Sequence, residues 1–316
     1  MKPTLYTLLA AAAACGLASA AETAYTTPVG YYNFDGVGGG NLFVPGVVNP
    51  AAYAGVLTGA SSTTLSVAAS SLTPGAFDDG ATFATHYVEI TSGPNAGVAL
   101  DIVSNTDSVI TLADDISALS LAGTETITIR PHVTLKSSLA AAEASLNPFS
   151  DVATFYLPNG SSVTYFYGGD GATGWSSDFL TADGDLRPIA PGTGFVLGLL
   201  ADVDLPIVGE VKDTAAVAML AAGVVNIVGP VNPLAGNTTP LNDTGFGDLA
   251  AFSDSITVYV PGPLDTSTTY YPLGDGTISS DFVNPTADTI SNTTGAVVIP
   301  ATDASVKLEP GFTVAP

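Results

Sequence analysis

The sequence predicts an all-β fold: two tandem, duplicated β-sandwich-like units, the first interrupted by a small β-barrel or sandwich module, with one short helix. Three observations carry this. The second half of the chain repeats at an offset of 103, so that Ser150-Asp151 returns as Ser253-Asp254 and Ser177-Asp178-Phe179 as Ser280-Asp281-Phe282. A repeat of this length means two copies of one folding unit. The composition, with 34 Gly, 22 Pro and only 11% charged residues, excludes long helices and confines strands to short runs between turns. Finally, an Asn-Pro phrase precedes both copies at unequal distances. Asn232 stands 22 positions before Asp254, whereas Asn49 stands 102 before Asp151, and the difference of 80 (102 − 22) is an insertion. The expected domain map is therefore residues 21–54 plus 135–212 for the first unit, 55–134 for the inserted module and 213–316 for the second unit.

The elements follow in order. Lys2, the short apolar stretch 5–16 and Ala18-Ser19-Ala20 read as a secretory signal over residues 1–20, which predicts a secreted or cell-surface protein. The single cysteine, Cys15, lies within it. A lipoprotein reading of Cys15 is the alternative, and Ala12 stands where such a signal usually carries leucine. No segment offers the ~20 apolar residues of a membrane-spanning helix, so no integral membrane segment is expected. Residues 21–34 form a β-prone segment with little charge, followed by Gly36-Val37-Gly38-Gly39-Gly40. A terminal strand on a glycine hinge pairs with its own sheet or with a neighbouring copy, which makes 21–34 the candidate for self-association. Its Tyr32 and Phe34 match Val217 and Met219 in the second unit.

In the insertion, runs beginning at Val56, Thr64, His86, Ala99, Val109 and Thr126 read as six short strands, with Ser92-Gly93-Pro94-Asn95 as the central turn. Leu135, Leu139, Ala142 and Leu146 keep helical spacing, so the one helix is expected over 135–146. Alternation of Thr154 and Tyr156 with Phe155 and Leu157, then Asn159-Gly160, then residues 162–167, reads as strand, tight turn, strand. The matching turn of the second unit carries Pro261-Gly262-Pro263.

The string His86-Tyr87-Val88-Glu89-Ile90-Thr91-Ser92-Gly93-Pro94-Asn95-Ala96-Gly97, with Ile102-Val103-Ser104-Asn105-Thr106 and Ile129-Arg130-Pro131-His132, resembles a large family of uncharacterised secreted bacterial all-β proteins. Its members also open, after the signal, with a phrase like Thr27-Pro28-Val29-Gly30-Tyr31. The resemblance implies export and a β fold; it brings no established activity, so no catalytic residue is carried over. The insertion is more loosely similar to small β modules of phage tail and surface fibres, which is fold-level analogy.

A formal net charge of −23, from 29 acidic and six basic residues, repels phosphate backbones and excludes nucleic-acid binding. Acidity of this order reads either as solubility in a salty or extracellular medium or, functionally, as divalent-cation binding. Asp170, Asp183, Asp185 and Asp275 are carboxylates beside glycine on turns, the ligand chemistry of calcium and equally that of plain turns. Trp175, with Tyr165 and Tyr167 near it, reads either as ordinary packing of aromatics on a sheet face or as a frame on which a polysaccharide ring could stack. The two histidines, His86 and His132, have no nucleophile signature beside them and supply neither a triad nor a zinc site. The expected function is that of a non-catalytic structural protein of the cell surface or extracellular matrix, a self-assembling fibre subunit. A glycan-binding or adhesive module is the first alternative, and a secreted hydrolase the second.

Overall fold

The computed structural model describes residues 29–80, 82–169, 174–212, 214–229, 238–259, 267–291 and 295–309. The signal segment with Cys15, the first part of the 21–34 segment, Asp170 and the Pro261-Gly262-Pro263 turn lie outside the described residues. Strands dominate and helix is confined to short turns, so the fold is all-β. In chain order, β1 (Val29–Gly36) and β2 (Gly39–Phe43) are followed by β3 (Tyr53–Val56), β4 (Gly59–Ala60), β5 (Thr64–Ser66) and β6 (His86–Ile90). Next come β7 (Ala99–Asn105), β8 (Val109–Leu112), β9 (Thr126–Pro131), β10 (Val133–Thr134) and the helix α1 (Leu135–Leu139). Then follow β11 (Val152–Tyr156), β12 (Ser162–Tyr167), β13 (Trp175–Ser176), β14 (Pro188–Ile189), β15 (Phe195–Leu199) and β16 (Val203–Glu210). The last nine strands are β17 (Ala216–Leu220), β18 (Asn226–Val228), β19 (Thr238–Pro240), β20 (Ser255–Tyr259), β21 (Ser267–Pro272), β22 (Ile278–Ser279), β23 (Thr289–Ser291), β24 (Ala296–Ile299) and β25 (Ala304–Leu308).

One antiparallel arrangement occurs twice. A five-stranded sheet of order β13-β12-β11-β15-β2 accompanies the pairs β1-β16 and β10-β14; a five-stranded sheet of order β22-β21-β20-β24-β18 accompanies β17-β25 and β19-β23. The sequence repeat works through matched side chains. Asp151 and Asp254 are both buried. Their Oδ2 atoms accept from the N–H of Asn147 and Ala250 at 2.7 and 2.8 Å. Their Oδ1 atoms accept from Leu200 and Ala301 at 2.7 and 2.8 Å. Asn41 and Asn226 each donate from Nδ2 to backbone carbonyls across the sheet, at Leu197 and Val298. Thr154 pairs with Thr164 at 2.9 Å and Thr257 with Thr269 at 3.0 Å, a cross-strand contact that fixes register. Gly194 is required where β15 meets β2, because a Cβ there would lie 2.1 Å from the Phe43 carbonyl oxygen.

β1 pairs along its whole length with β16, Phe34 opposite Leu205, both buried. The sequence match of Phe34 with Met219 is therefore displaced by one residue. Met219 pairs with Ser305 and faces out, while Ala218, opposite Val306, faces the core. In a strand a slip of one position turns every side chain to the other face.

The inserted segment forms a seven-stranded sheet of order β3-β9-β6-β7-β8-β5-β4 around Leu65, Val88, Ile102, Ile110 and Ile129. β3 and β4 are neighbours in sequence yet stand at opposite edges. The chain crosses between them at Leu57, whose N–H bonds the Glu125 carbonyl, and Thr58, whose N–H bonds Ser66, so the sheet rolls on itself like a barrel. This crossing explains why the strand expected at Val56-Leu57-Thr58 is instead Tyr53–Val56 plus the short β4. Tyr53 pairs with Ile129, which brings the two ends of the insertion side by side.

The helix expected over 135–146 is shorter than its pattern. α1 ends at Leu139 and a 3₁₀ turn continues over Ala140–Ser145. The periodic residues Leu135, Leu139, Ala142 and Leu146 all reach the core. Thr134 and Ser137 form a capping box at its start.

Candidate functional site

Each repeat presents an exposed aromatic cluster. In the first, Phe149, Phe179 and Phe166 form a ladder, with ring centroids 6.2 Å apart for Phe149 and Phe179 and 4.6 Å for Phe179 and Phe166. In the second, Phe252, Phe282 and Tyr271 do the same at 6.4 and 4.2 Å. Phe149 is 63% and Phe252 59% exposed, and Leu180 and Val283, next to the middle rings, are exposed as well. The backbone that carries the rings is strained. Phe149, Phe179, Phe252 and Phe282 have φ of 61°, 63°, 58° and 63°, the left-handed region that side chains rarely enter.

Local hydrogen bonds hold these conformations. The Phe149 N–H donates to the Tyr167 carbonyl and that of Phe252 to the Pro272 carbonyl, just before the buried Asp151 and Asp254. Around the middle ring, Asp178 Oδ1 accepts from the N–H of Leu180 and Thr181 and from Ser176 Oγ. Asp281 Oδ1 accepts from Val283, Asn284 and Ser279 Oγ. Donation from the Leu180 and Thr181 amides, with Ser176, holds the Asp178 carboxyl down at about 2. The Asn284 amide and the Ser279 hydroxyl lower that of Asp281 further still. Both carboxylates act as clamps on the turn that projects the ring.

A cleft of about 350 Å³ lies where the repeats and the barrel meet, lined by Phe155 and Arg187, His132 and Asp101, and Met219 and Ile227. His132 Nε2 is 2.9 Å from Asp101 Oδ1. The Arg187 guanidinium stands 5.3 Å from the ring centroids of both Phe83 and Phe155. Thr193, also on the cleft, directs its hydroxyl to the Ala190 carbonyl. The other histidine, His86, contacts Thr85 Oγ1 at 2.8 Å, and that hydroxyl donates to the Asp78 carbonyl. The Thr85 proton is therefore directed to the Asp78 carbonyl and not to His86.

The residues singled out from sequence have these positions. Trp175, Tyr165 and Tyr167 are packed in the first core, Trp175 with no exposed surface, so a sugar ring cannot stack on them. The pattern that marked them is the inward face of a sheet, and the outward aromatics are Phe149, Phe166 and Phe179. Asp183 accepts from both the N–H and the hydroxyl of Ser177. Asp185 accepts from Trp175 N–H and pairs with Lys136 at 2.8 Å. Asp275 accepts from the N–H and hydroxyl of Thr277. Among the described residues no group of three or more metal-ligating side chains comes together. Also among them, no helix is long and apolar enough to cross a membrane.

Sequence reasoning missed a buried charge cluster between the barrel and the first repeat. Arg130 Nη1 pairs with Glu210 at 2.6 Å, and Lys212 contacts Glu89. Its only signal was scarcity, since six basic residues among 316 leave few cations for the surface. The left-handed phenylalanines were likewise missed; the signal was the recurrence of Phe-Ser-Asp at Phe149 and Phe252 with Asp-Phe at Phe179 and Phe282.

No family model, curated protein or solved structure matches this chain.

Proposed function

We propose that this is a secreted, non-catalytic structural protein of the cell surface or extracellular matrix, whose copies associate through the two exposed aromatic clusters. The observation that carries the reading is their recurrence: the same three-ring ladder, on the same strained backbone, stands outward in both repeats. A left-handed conformation costs a residue with a side chain about 1–2 kcal/mol, and strain kept at matched exposed positions is a mark of use. The net charge of −23 supports the same reading. Copies repel one another wherever carboxylates face, and the aromatic islands, whose Asp178 and Asp281 carboxylates are engaged by the turn amides, are where they can touch. Two islands on one chain permit head-to-tail growth. Strand exchange through residues 21–34 is the higher-energy route, because 29–34 are already paired with β16.

Light scattering and negative-stain microscopy test this. The protein is expected to form concentration-dependent assemblies that salt strengthens by screening repulsion. Replacing Phe149, Phe179, Phe252 and Phe282 together by serine is expected to leave monomers. A protein that stays monomeric at all concentrations, or a variant that assembles equally well, overturns the reading.

The alternative of an adhesive, glycan-binding module is favoured by one feature. Within each ladder the rings are inclined by only 23–35° to one another, so the outermost offers a flat face for a pyranose. An uncharged polysaccharide is not repelled by the acidic surface. Retention on a polysaccharide panel, lost in the serine variant, would favour it over self-assembly.

A further inference from the structure

A buried amine meets a buried carboxyl where the barrel is held against the first repeat. Glu89 lies on β6 and Lys212 just beyond β16, 123 positions apart in sequence. Both side chains are almost wholly inaccessible, and Lys212 Nζ is in direct contact with Glu89 Oε1. Thr214 Oγ1 bridges them, 2.6 Å from Nζ and 2.9 Å from Oε1. The other carboxyl oxygen, Oε2, faces Arg130, whose Nε is 3.9 Å away and whose Nη1 is paired with Glu210. Tyr87 stands two residues before Glu89 on the same face of β6. Among the described residues, the Tyr87 hydroxyl and Arg130 Nε are buried without hydrogen-bond partners. Burial, then the Glu89 charge, raise the Tyr87 pKa and keep the phenol protonated.

Two cations and two anions balance the site as an ion-pair cluster, which is how buried charges are ordinarily tolerated. Charge balance alone leaves the two idle donors unexplained. A guanidinium N–H 3.9 Å from the carboxyl oxygen that the lysine does not touch is suited to an oxyanion. Burial keeps water away, and the nitrogen is held against the carboxyl group it would attack. We propose that Lys212 and Glu89 condense into an intramolecular isopeptide bond that ties the barrel to the chain leaving the first repeat.

The step balances within the pair. A proton passes from the Nζ ammonium to the Glu89 carboxylate, and the freed lone pair forms the N–C bond to Cδ. Negative charge collects on Oε2, facing Arg130 Nε. The Cδ–Oε1 bond then breaks, and the hydroxyl leaves as water with a second Nζ proton. Nothing is oxidised or reduced, and one positive and one negative charge vanish together, so the Arg130–Glu210 pair stays balanced. With one cysteine the chain cannot close a disulfide within itself, and this bond would restrict the unfolded chain in the same way.

Peptide mapping of the denatured full-length chain by mass spectrometry tests the proposal. The peptides that carry Glu89 and Lys212 are expected as a single branched species, lighter than the two together by one water. Lys212→Arg keeps the charge without the reactive amine, and is expected to give two separate linear peptides and a lower melting temperature. Unlinked peptides from the unaltered protein overturn the proposal. A missing water that persists in Lys212→Arg overturns it too, by placing the condensation elsewhere.

Discussion

Replacing Phe149 by glycine separates what the outward ring does for folding from what it does for contact. The left-handed backbone at φ 61° is relieved, a gain of about 1–2 kcal/mol. Against this, glycine costs about 0.5–1 kcal/mol in unfolded-chain entropy. The ring is 63% exposed, so only about a third of the 1.5–3 kcal/mol of full burial is lost, about 0.5–1 kcal/mol. These terms cancel to within ~1 kcal/mol. Phe252→Gly, at φ 58° and 59% exposed, gives the same balance. Phe195→Ala in the core is the control, where a ring with no exposed surface makes a cavity costing about 3–5 kcal/mol. Denaturant unfolding measures all three, and light scattering follows assembly in the same samples. The expected result is two glycine variants of nearly unchanged stability and weakened association. A loss above about 2 kcal/mol in either would make the ring a structural element and refute the reasoning.

Three further outcomes follow from the clamps. Asp151→Ala and Asp254→Ala each remove the buried carboxylate that accepts from two part-buried amides, and a loss of about 2–4 kcal/mol per variant is expected from denaturant melts. Asp178 titrates at about 2 in the folded chain, below its unfolded value, so its contribution is present above about pH 4 and is lost as pH falls toward 2; Asp281 behaves alike at still lower pH. Carbon-detected NMR titration checks this, and a midpoint near 3.8 for Asp178 would contradict the clamp. Millimolar calcium, measured against chelator, is expected to leave the thermal melt unchanged, because Asp183, Asp185 and Asp275 already accept from Ser177, Trp175 with Lys136, and Thr277. A rise in melting temperature would show that the ion displaces those donors.

The sequence by itself determined the strand-rich class and the pairing of anchors. Asp178 with Asp281 were legible because each caps a turn within a few residues, and Asp151 with Asp254 because each bonds an amide four residues back; their second bonds, to Leu200 and Ala301, are long-range and were not legible. The Asn159-Gly160 hairpin was legible because it too is local: Gly160 has φ 82° and Asn159 accepts from Ser161. Strand faces were less secure, as the displaced match of Phe34 with Met219 shows, since facing depends on register with a distant partner. Only the tertiary structure decided which aromatics are inside. Trp175 and Phe179 lie four residues apart, yet one is in the core and the other outward on a left-handed turn. Only the tertiary structure joined Glu89 to Lys212, because closing the barrel against the first repeat spans 123 positions that no local pattern records. A side chain's neighbours across a sheet are set by topology, and topology is a property of the whole chain.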